Sequence, residues 1–338
     1  MKRLLQFGLP IYLLVASCFS CTSGKTHQES VLADTLSVAE TITLDSVFFA
    51  YPQLKVDGNI CCIADMAADK YYFSLYTFPE FKYIKSFGRK GHAQNELGNL
   101  LDFDYRGNRV IALCGMEKKI LVYDLDEDID NPKVVRYAPT LTLAEICHGM
   151  TGGFYAFNTL GQYRVVEISS DGKVVNQHIE ISEDEDNESE SSHWIGDIQT
   201  SPDEQYVVVP TLYGEIIDYI NIHENTHYRV SSGFGAPEYR TRTHGGVMYK
   251  RERYTGFTSM YLSEEYCYLF FVGEDANKEN CDGEKCIRKY DYKGNEVCRY
   301  YLGDMTLSSF FVDENTKTVY CTSPDADNLI YKFQIESK

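Results

Sequence analysis

Basic residues are scarce in this sequence. Its 338 residues include 32 lysines and arginines against 50 aspartates and glutamates, which gives a formal net charge of -18 at pH 7. A surface of this sign repels phosphate backbones and anionic lipid headgroups. Nucleic acid is therefore not an expected partner, and neither is a membrane surface gripped through basic patches on the folded body.

The sequence also lacks an apolar run long enough to span a membrane. Residues 4–16 follow two basic residues and end just before Cys18, which is the layout of an export signal. Val-Ala-Ser-Cys, ending at Cys18, resembles the bacterial lipobox, so we predict lipidation of Cys18. The alternative is cleavage further along, with Cys18 lost or Cys21 used instead. The predicted regions are a signal peptide (1–17), a tether (18–38) and the folded body (39–338). Export to the cell envelope follows, with a lipid anchor in a membrane and the outer membrane favoured.

Complete catalytic motifs are missing too: no nucleophile elbow, Rossmann glycine set or phosphate loop occurs. His223 to His227 reads H-E-x-x-H, which binds zinc only on a helix. Here it follows an alternating strand pattern and contains the turn formers Asn225 and Thr226, so we predict a hairpin turn. No catalytic residue and no metal ligand is assigned.

Cysteine is present, with 11 residues, but only one pair suggests a bridge. Seven cysteines lie in or beside apolar strand runs and are interpreted as small buried side chains. Cys281 and Cys286 flank a polar loop that contains glycine, so a disulfide between them is a candidate in an exported protein. A metal site would need two further soft ligands that the neighbouring sequence does not offer.

The sequence is rich in strand signals. Runs at 97–104, 110–114 and 119–125 carry β-branched and aromatic residues and are separated by turn residues, as in a four-stranded antiparallel blade. One pattern recurs: an apolar residue followed by apolar residues three and five positions later. We interpret each copy of this pattern as the third strand of a blade. Its six copies start at Phe73, Ile120, Tyr163, Ile217, Ile287 and Ile330. Their separations of 47, 43, 54, 70 and 43 residues suit one blade each, with two insertions.

The last copy leaves no room for a fourth strand. The unassigned strand pattern at 39–45 would complete that blade from the other end of the chain and close the ring. The sequence thus predicts an all-β, six-bladed propeller of four-stranded antiparallel blades closed by the N-terminal strand. Five or seven blades are the alternatives.

Two connections stand out on the face that would carry the loops between blades. Residues 183–190 hold six acids, and a neighbouring loop at 231–254 is basic. The simplest interpretation is a solvated acidic loop that pairs with the basic one; calcium in the first and an anionic ligand on the second are the alternatives. The candidate ligand-binding residues, sugar-stacking or anion-binding, are His193, Trp194, Arg240, Arg242, His244 and Arg251. A lone tryptophan also commonly fills a blade interface.

Asp104, Glu145, His148 and Asp197 lie near predicted inner strands and would point into the channel. Such a set could hold calcium in a lactonase-type enzyme. Channels hold water, however, so polar linings occur without catalysis. No cofactor is therefore expected, and channel calcium is the alternative.

Residues 86–97, Ser-Phe-Gly-Arg-Lys-Gly-His-Ala-Gln-Asn-Glu-Leu, resemble a segment of the TolB-like propeller lipoproteins. Phe87, Gly88, Gly91 and Glu96 match that segment, whereas the residues at 92, 93 and 97 depart from it. The resemblance implies a six-bladed propeller in the cell envelope and carries no catalytic residues. We therefore expect a non-enzymatic binding module that meets a protein or glycan through its loop face. A metal-dependent hydrolase or lyase working in the channel is the alternative.

Overall fold

The computed structural model describes residues 31–45, 51–181, 194–237, 239–241, 247–249, 254–275 and 285–335. These residues form strands and turns, with a short 3-10 turn at Met150–Gly152. None of them forms a helix that is long and apolar enough to cross a membrane.

The strands build six blades. The chain enters through β1 (Leu32–Thr35) and β2 (Val38–Thr43). Blade 1 contains β3 (Gln53–Asp57), β4 (Ile60–Ala64), β5 (Tyr71–Thr77) and β6 (Tyr83–Arg89). Blade 2 contains β7 (Asp102–Arg106), β8 (Arg109–Cys114), β9 (Lys119–Asp124) and β10 (Lys133–Arg136). Blade 3 contains β11 (Leu143–His148), β12 (Phe154–Asn158), β13 (Tyr163–Ile168) and β14 (Val174–Glu180).

Blade 4 contains β15 (Gln199–Thr200), β16 (Tyr206–Pro210), β17 (Ile216–Asn221) and β18 (Thr226–Ser231). A hairpin of β19 (Tyr239–Thr241) and β20 (Val247–Tyr249) precedes blade 5. Blade 5 contains β21 (Tyr254–Leu262), β22 (Tyr266–Asp275), β23 (Cys286–Asp291) and β24 (Glu296–Tyr301). Blade 6 contains β25 (Ser309–Asp313), β26 (Thr318–Thr322) and β27 (Leu329–Gln334), and β2 is its outer strand.

The repeat predicted from sequence is confirmed. Each of the six apolar copies lies in the third strand of its blade, in β5, β9, β13, β17, β23 and β27. The first strand of blade 2 begins later than predicted, at Asp102 rather than residue 97, because the preceding residues form the connection from blade 1. The fold is therefore the predicted six-bladed propeller.

The ring closes as predicted. Strand β2 pairs antiparallel with β27, from Val38 opposite Phe333 to Thr43 opposite Leu329. The last blade is thus built from both ends of the described chain, which removes an open sheet edge.

One feature of the closure was not predicted. Strand β1 lies parallel to β24, with Leu32 opposite Cys298 and Thr35 opposite Tyr301, as a fifth strand on blade 5. The compact body accordingly begins at Leu32, within the segment that the sequence assigns to the tether. The N-terminal strands therefore fasten two adjacent blades.

The core lies between blades, where aromatic rings pack against one another at tilted angles. Between blades 1 and 2, Phe73 lies 5.1 Å from Phe87 and 5.3 Å from Phe103, measured between ring centroids. Gly88 has a φ of +71°, and a β-carbon there would lie 2.5 Å from the Phe73 ring. The structural explanation of this glycine is therefore a turn packed against the core. Glu96 accepts a hydrogen bond from the Ala93 amide at 3.1 Å.

The blades present two faces. The upper face carries the connections from one blade's outer strand to the next blade's inner strand, together with the loops between second and third strands. The lower face carries the hairpin turns that join the first to the second strand and the third to the fourth. Inner strands run from upper to lower, so Gln53 lies at the upper end of β3 and Asp57 at its lower end.

Candidate functional site: the central channel

The inner strands surround a channel that widens into two chambers. The upper chamber has a volume of about 220 Å³ and the lower one about 270 Å³. Leu54, Lys55 and Met260 line both chambers, so they form the boundary between them.

The upper chamber is lined by carboxyl groups. Asp102 from β7, Glu145 from β11 and Asp197 from the approach to β15 face it together with Lys55. Three hydroxyl residues of blades 5 and 6, Thr258, Ser259 and Ser308, are among its other lining residues. The chamber therefore holds three acids against one base.

Burial controls the protonation of these acids. It raises the pKa of Asp102 to about 7, although the nearby Lys55 charge pulls that pKa down. Burial also raises the pKa of Glu145 well above its usual range, and the neighbouring Asp102 adds to the effect. The pKa of Asp197 is likewise raised by burial. Near neutral pH the Asp102–Glu145 pair thus retains a proton, because two adjacent buried carboxylates cannot both ionise cheaply.

The lower chamber is less one-sided in charge. Asp104 lines it together with Lys55, Arg106 and two aromatic residues of blades 5 and 6, Tyr261 and Phe311. Tyr261 and Phe311 meet edge to face, with ring centroids 4.9 Å apart. This chamber offers an amphipathic lining rather than a cluster of acids.

Asp104 is held in place by His148. Its Oδ2 accepts a hydrogen bond from the His148 amide at 3.0 Å and lies 2.8 Å from Nδ1 of the ring. Lys55 Nζ lies 4.0 Å from Oδ1. Burial alone would raise the pKa of Asp104, but the His148 interactions and the Lys55 charge hold it below its usual value. Burial lowers the pKa of Lys55, but the charges of Asp197 and Asp104 raise it, and the net shift is upward.

Sequence analysis found part of this arrangement. Glu145, Asp197 and Asp104 line the channel as expected, and His148 contacts Asp104. Lys55 and Asp102 were missed, although a signal existed: they alternate with apolar neighbours, as inner-strand residues that face a channel do. No group of three or more His, Cys, Asp or Glu side chains placed to hold a metal ion is found in the described part of the chain. The channel-calcium alternative thus gains no ligand set there.

Most predicted loop-face residues fall outside the described residues. These are His193, Arg242, His244 and Arg251, together with the acidic loop 183–190; the lipidation candidate Cys18 lies outside as well. Arg240 belongs to β19, for which the structure gives only the backbone. Cys281 is also outside, whereas Cys286 is buried at the start of β23, so the disulfide stays a prediction.

Trp194 lies at the junction of blades 3 and 4. The Arg229 guanidinium lies 4.4 Å from its ring centroid, and its carbonyl oxygen accepts a hydrogen bond from Arg164 Nε at 2.9 Å. The ring packs beside the apolar cluster between these blades and is partly exposed. Because Arg229 covers one ring face, the tryptophan contributes to the blade interface.

The H-E-x-x-H segment is a turn, as predicted. Strand β17 ends at Asn221 and β18 begins at Thr226, so His223 and His227 lie on either side of a hairpin on the lower face. They are not one turn apart on a helix, which a zinc protease would need.

The six blades agree with a comparison of the sequence with known families. The family model described as TolB-like 6-blade propeller-like matches residues 33–315. The chain belongs to this family. No curated protein matches this TolB-like propeller.

Solved structures show the same fold at low identity. A protein of Bacteroides fragilis assigned as exported has 12% identity, and the match covers 91% of this chain and 100% of that one with a TM-score of 0.61. A catalytically inactive virginiamycin B lyase of Staphylococcus aureus, solved with quinupristin, has 12% identity, coverage of 89% and 100%, and a TM-score of 0.53. At these identities the likeness establishes the propeller fold of the TolB-like chain and nothing about its chemistry.

Proposed function

We propose that this protein is a non-enzymatic binding module of the cell envelope that docks a basic polypeptide on its upper face. The distribution of exposed apolar side chains carries this proposal. Among the described loops and turns, every large hydrophobic side chain that is clearly exposed lies on the upper face; these are Tyr51, Leu101, Met116, Leu160 and Phe234. The remaining exposed ones are on outer or edge strands. Apolar groups gathered on one face are typical of protein interfaces.

Charge in the described part of the upper face supports a basic partner; most basic residues of the loop at 231–254 lie outside that part. The chain carries a formal charge of -18, and the upper face opens onto the acidic chamber. Complementary charge accelerates encounter and selects partners. A glycan fits less well, because the predicted stacking residue Trp194 has Arg229 over its ring.

We propose that Cys18 carries the lipid: metabolic labelling with an alkyne fatty acid should mark the wild type and not Cys18→Ser. Equal labelling of both chains would show that Cys18 is not the anchor.

Photo-crosslinking in intact cells tests the binding face. A benzoylphenylalanine placed at Met116 or Leu160 probes the upper face, and the same group at Lys293 or Asn315 probes exposed turns of the lower face. We expect a basic polypeptide crosslinked from the upper positions only. Crosslinks of equal yield from both faces, or from the lower face alone, would overturn the proposal.

A further inference from the structure

The upper chamber contains more acidic side chains than the one base beside it can pair with. Asp102, Glu145 and Asp197 line it, and the one base, Lys55, lies at its floor with Nζ 4.0 Å from Asp104 of the lower chamber. Lys55 is thus shared between the acids of both chambers. The upper chamber retains capacity for a second positive charge.

The same chamber has unused hydrogen-bonding groups. The hydroxyl oxygens of Thr258 and Ser308 are buried and find no hydrogen-bond partner among the described residues. A buried hydroxyl without a partner costs free energy, so such groups are normally satisfied by water or a ligand. They belong to blades 5 and 6, across the channel from Asp102 and Glu145 of blades 2 and 3. Hydrogen-bonding groups therefore face the chamber from opposite sides.

The size of the chamber limits what can enter it. Its volume of about 220 Å³ is below the roughly 300–1,000 Å³ of sites that enclose drug-sized ligands. A single protruding side chain suits it better. An ammonium group has three donors and no acceptor, which matches a lining of carboxylates and hydroxyls.

We propose that the upper chamber receives an ammonium group of the docked polypeptide, from a lysine side chain or the N-terminus, held by Asp102, Glu145 and Asp197. This assignment rests on the proposed function and specifies the chemistry of its partner. The exposed apolar side chains of the upper face contact the rest of the polypeptide, and the chamber accepts its positive charge.

Binding is expected to release a proton. The titratable or charged groups near the ammonium position are Lys55, Asp102, Asp104, Glu145, Cys147, His148 and Asp197. Among them the Asp102–Glu145 pair retains a proton near neutral pH, and an incoming cation favours its ionised form. Affinity should therefore increase as the pH rises from 6 to 8.

Calorimetry with defined peptides tests the site. The probe is acetyl-Gly-Gly-Lys-Gly-Gly-amide, compared with the same peptide acetylated on the lysine and with butylamine, in phosphate buffer. We expect the lysine peptide to bind, the acetylated peptide to fail, and butylamine to bind at least about tenfold more weakly. Glu145→Gln should weaken peptide binding by about tenfold or more. Asp57→Asn, the same change at the lower mouth, should leave it unchanged.

Each contrary result would contradict a particular component of the proposal. Equal affinity for butylamine and the peptide would assign the chamber to a free amine rather than a polypeptide. Binding of the acetylated peptide, or no binding of either amine, would overturn the ammonium site. Crosslinks confined to the upper face would still support the proposed function in that case, so the two failures can be told apart. Thermal unfolding of Glu145→Gln checks that the variant is folded.

Discussion

At the scale of single residues, burial of Asp102 among other acids makes the stability of the fold depend on pH. Only 7% of the surface of Asp102 is exposed, and Oδ2 accepts a hydrogen bond from the Ile146 amide at 2.8 Å. That bond stabilises the side chain, but burial raises its pKa to about 7 from an ordinary value of 3.8. The folded protein thus holds a proton that the unfolded chain releases. Stability from this group is complete below pH 4 and is lost as the pH rises towards 7.

Asp102→Asn should remove the loss of stability that accompanies ionisation of Asp102. Asparagine retains an acceptor for the Ile146 amide and cannot ionise. We expect the stability of the variant relative to wild type to increase by about 2 kcal/mol between pH 5 and pH 8, since each pH unit of retained proton is worth roughly 1.4 kcal/mol. Urea unfolding of the variant and the wild type at pH 5 and at pH 8 measures this difference in stability.

Asp104→Asn provides a control of opposite sign. Its folded pKa is lowered, so its contribution is present above pH 4 and is lost in acid. The variant should be destabilised at neutral pH, and the deficit should shrink below pH 4. A pH-independent difference for both variants would contradict the assigned titrations.

Sequence could predict acids in the channel but not their protonation. Asp104, Glu145 and Asp197 were assigned from their place near inner strands. Lys55 and Asp102 alternate with apolar neighbours in the same way, but this alternation alone does not separate a channel lysine from one on a solvated strand face. Whether Asp102 is protonated depends on its burial and on the charges of Lys55 and Asp197, which belong to other blades.

At the scale of elements, the third strands of blades 3 to 5 carry buried charges at one equivalent position. Arg164, Asp218 and Arg288 each follow the first residue of the apolar repeat. Arg164 pairs with Asp218 and also donates to the carbonyl oxygens of Trp194 and Pro210. Arg288 pairs with Glu215 of blade 4. These ion pairs connect adjacent blades. Most of the hydrogen-bonding groups of the paired side chains have partners.

Arg164→Met should be strongly destabilising. The change removes the donor to three carbonyl oxygens, those of Trp194, Val209 and Pro210. It also leaves Asp218, which is fully buried, with Arg229 alone. Breaking a buried pair on one side typically costs about 3–5 kcal/mol. Chemical denaturation measures it. Arg109→Met is the matched control, because its pair with Asp124 is exposed and should be worth about 1 kcal/mol or less. Equal losses of unfolding free energy in the two variants would show that the buried pair contributes no more to stability than the exposed one.

The closing strand is the second element-scale feature. A chain that begins at Asp45 lacks β2 and exposes the edge of β27, whereas a chain that begins at Ser37 lacks only β1. We expect the first to lose its single cooperative thermal transition or to aggregate, since an open edge invites pairing. The second should keep that transition at a lower midpoint. Identical melting of the two chains would mean that β2 does not close the ring.

The sequence predicted this closure because β2 was the one unassigned strand. It did not predict β1, because residues 32–35 have no apolar alternation, and their pairing uses backbone groups that any residue supplies.

At the scale of the whole molecule, the propeller topology alone predicts which face carries the connections between blades. What sequence could not supply was exposure. Leu100 and Leu101 are adjacent and identical in type, yet the first is 8% exposed and the second 40%. Turn geometry and the neighbouring blade determine this difference, so the apolar side chains of the upper face became visible only in the fold.

Affinity for the crosslinked polypeptide tests the central claim most directly. Met116→Gln combined with Leu160→Gln alters two exposed apolar positions of the upper face. Val175→Gln combined with Val297→Gln makes the same change on outer strands. The upper-face role predicts a loss of about tenfold or more in affinity for the first pair, and about twofold or less for the second. Equal losses, or a loss only for the outer-strand pair, would contradict the assignment of the upper face as the binding surface.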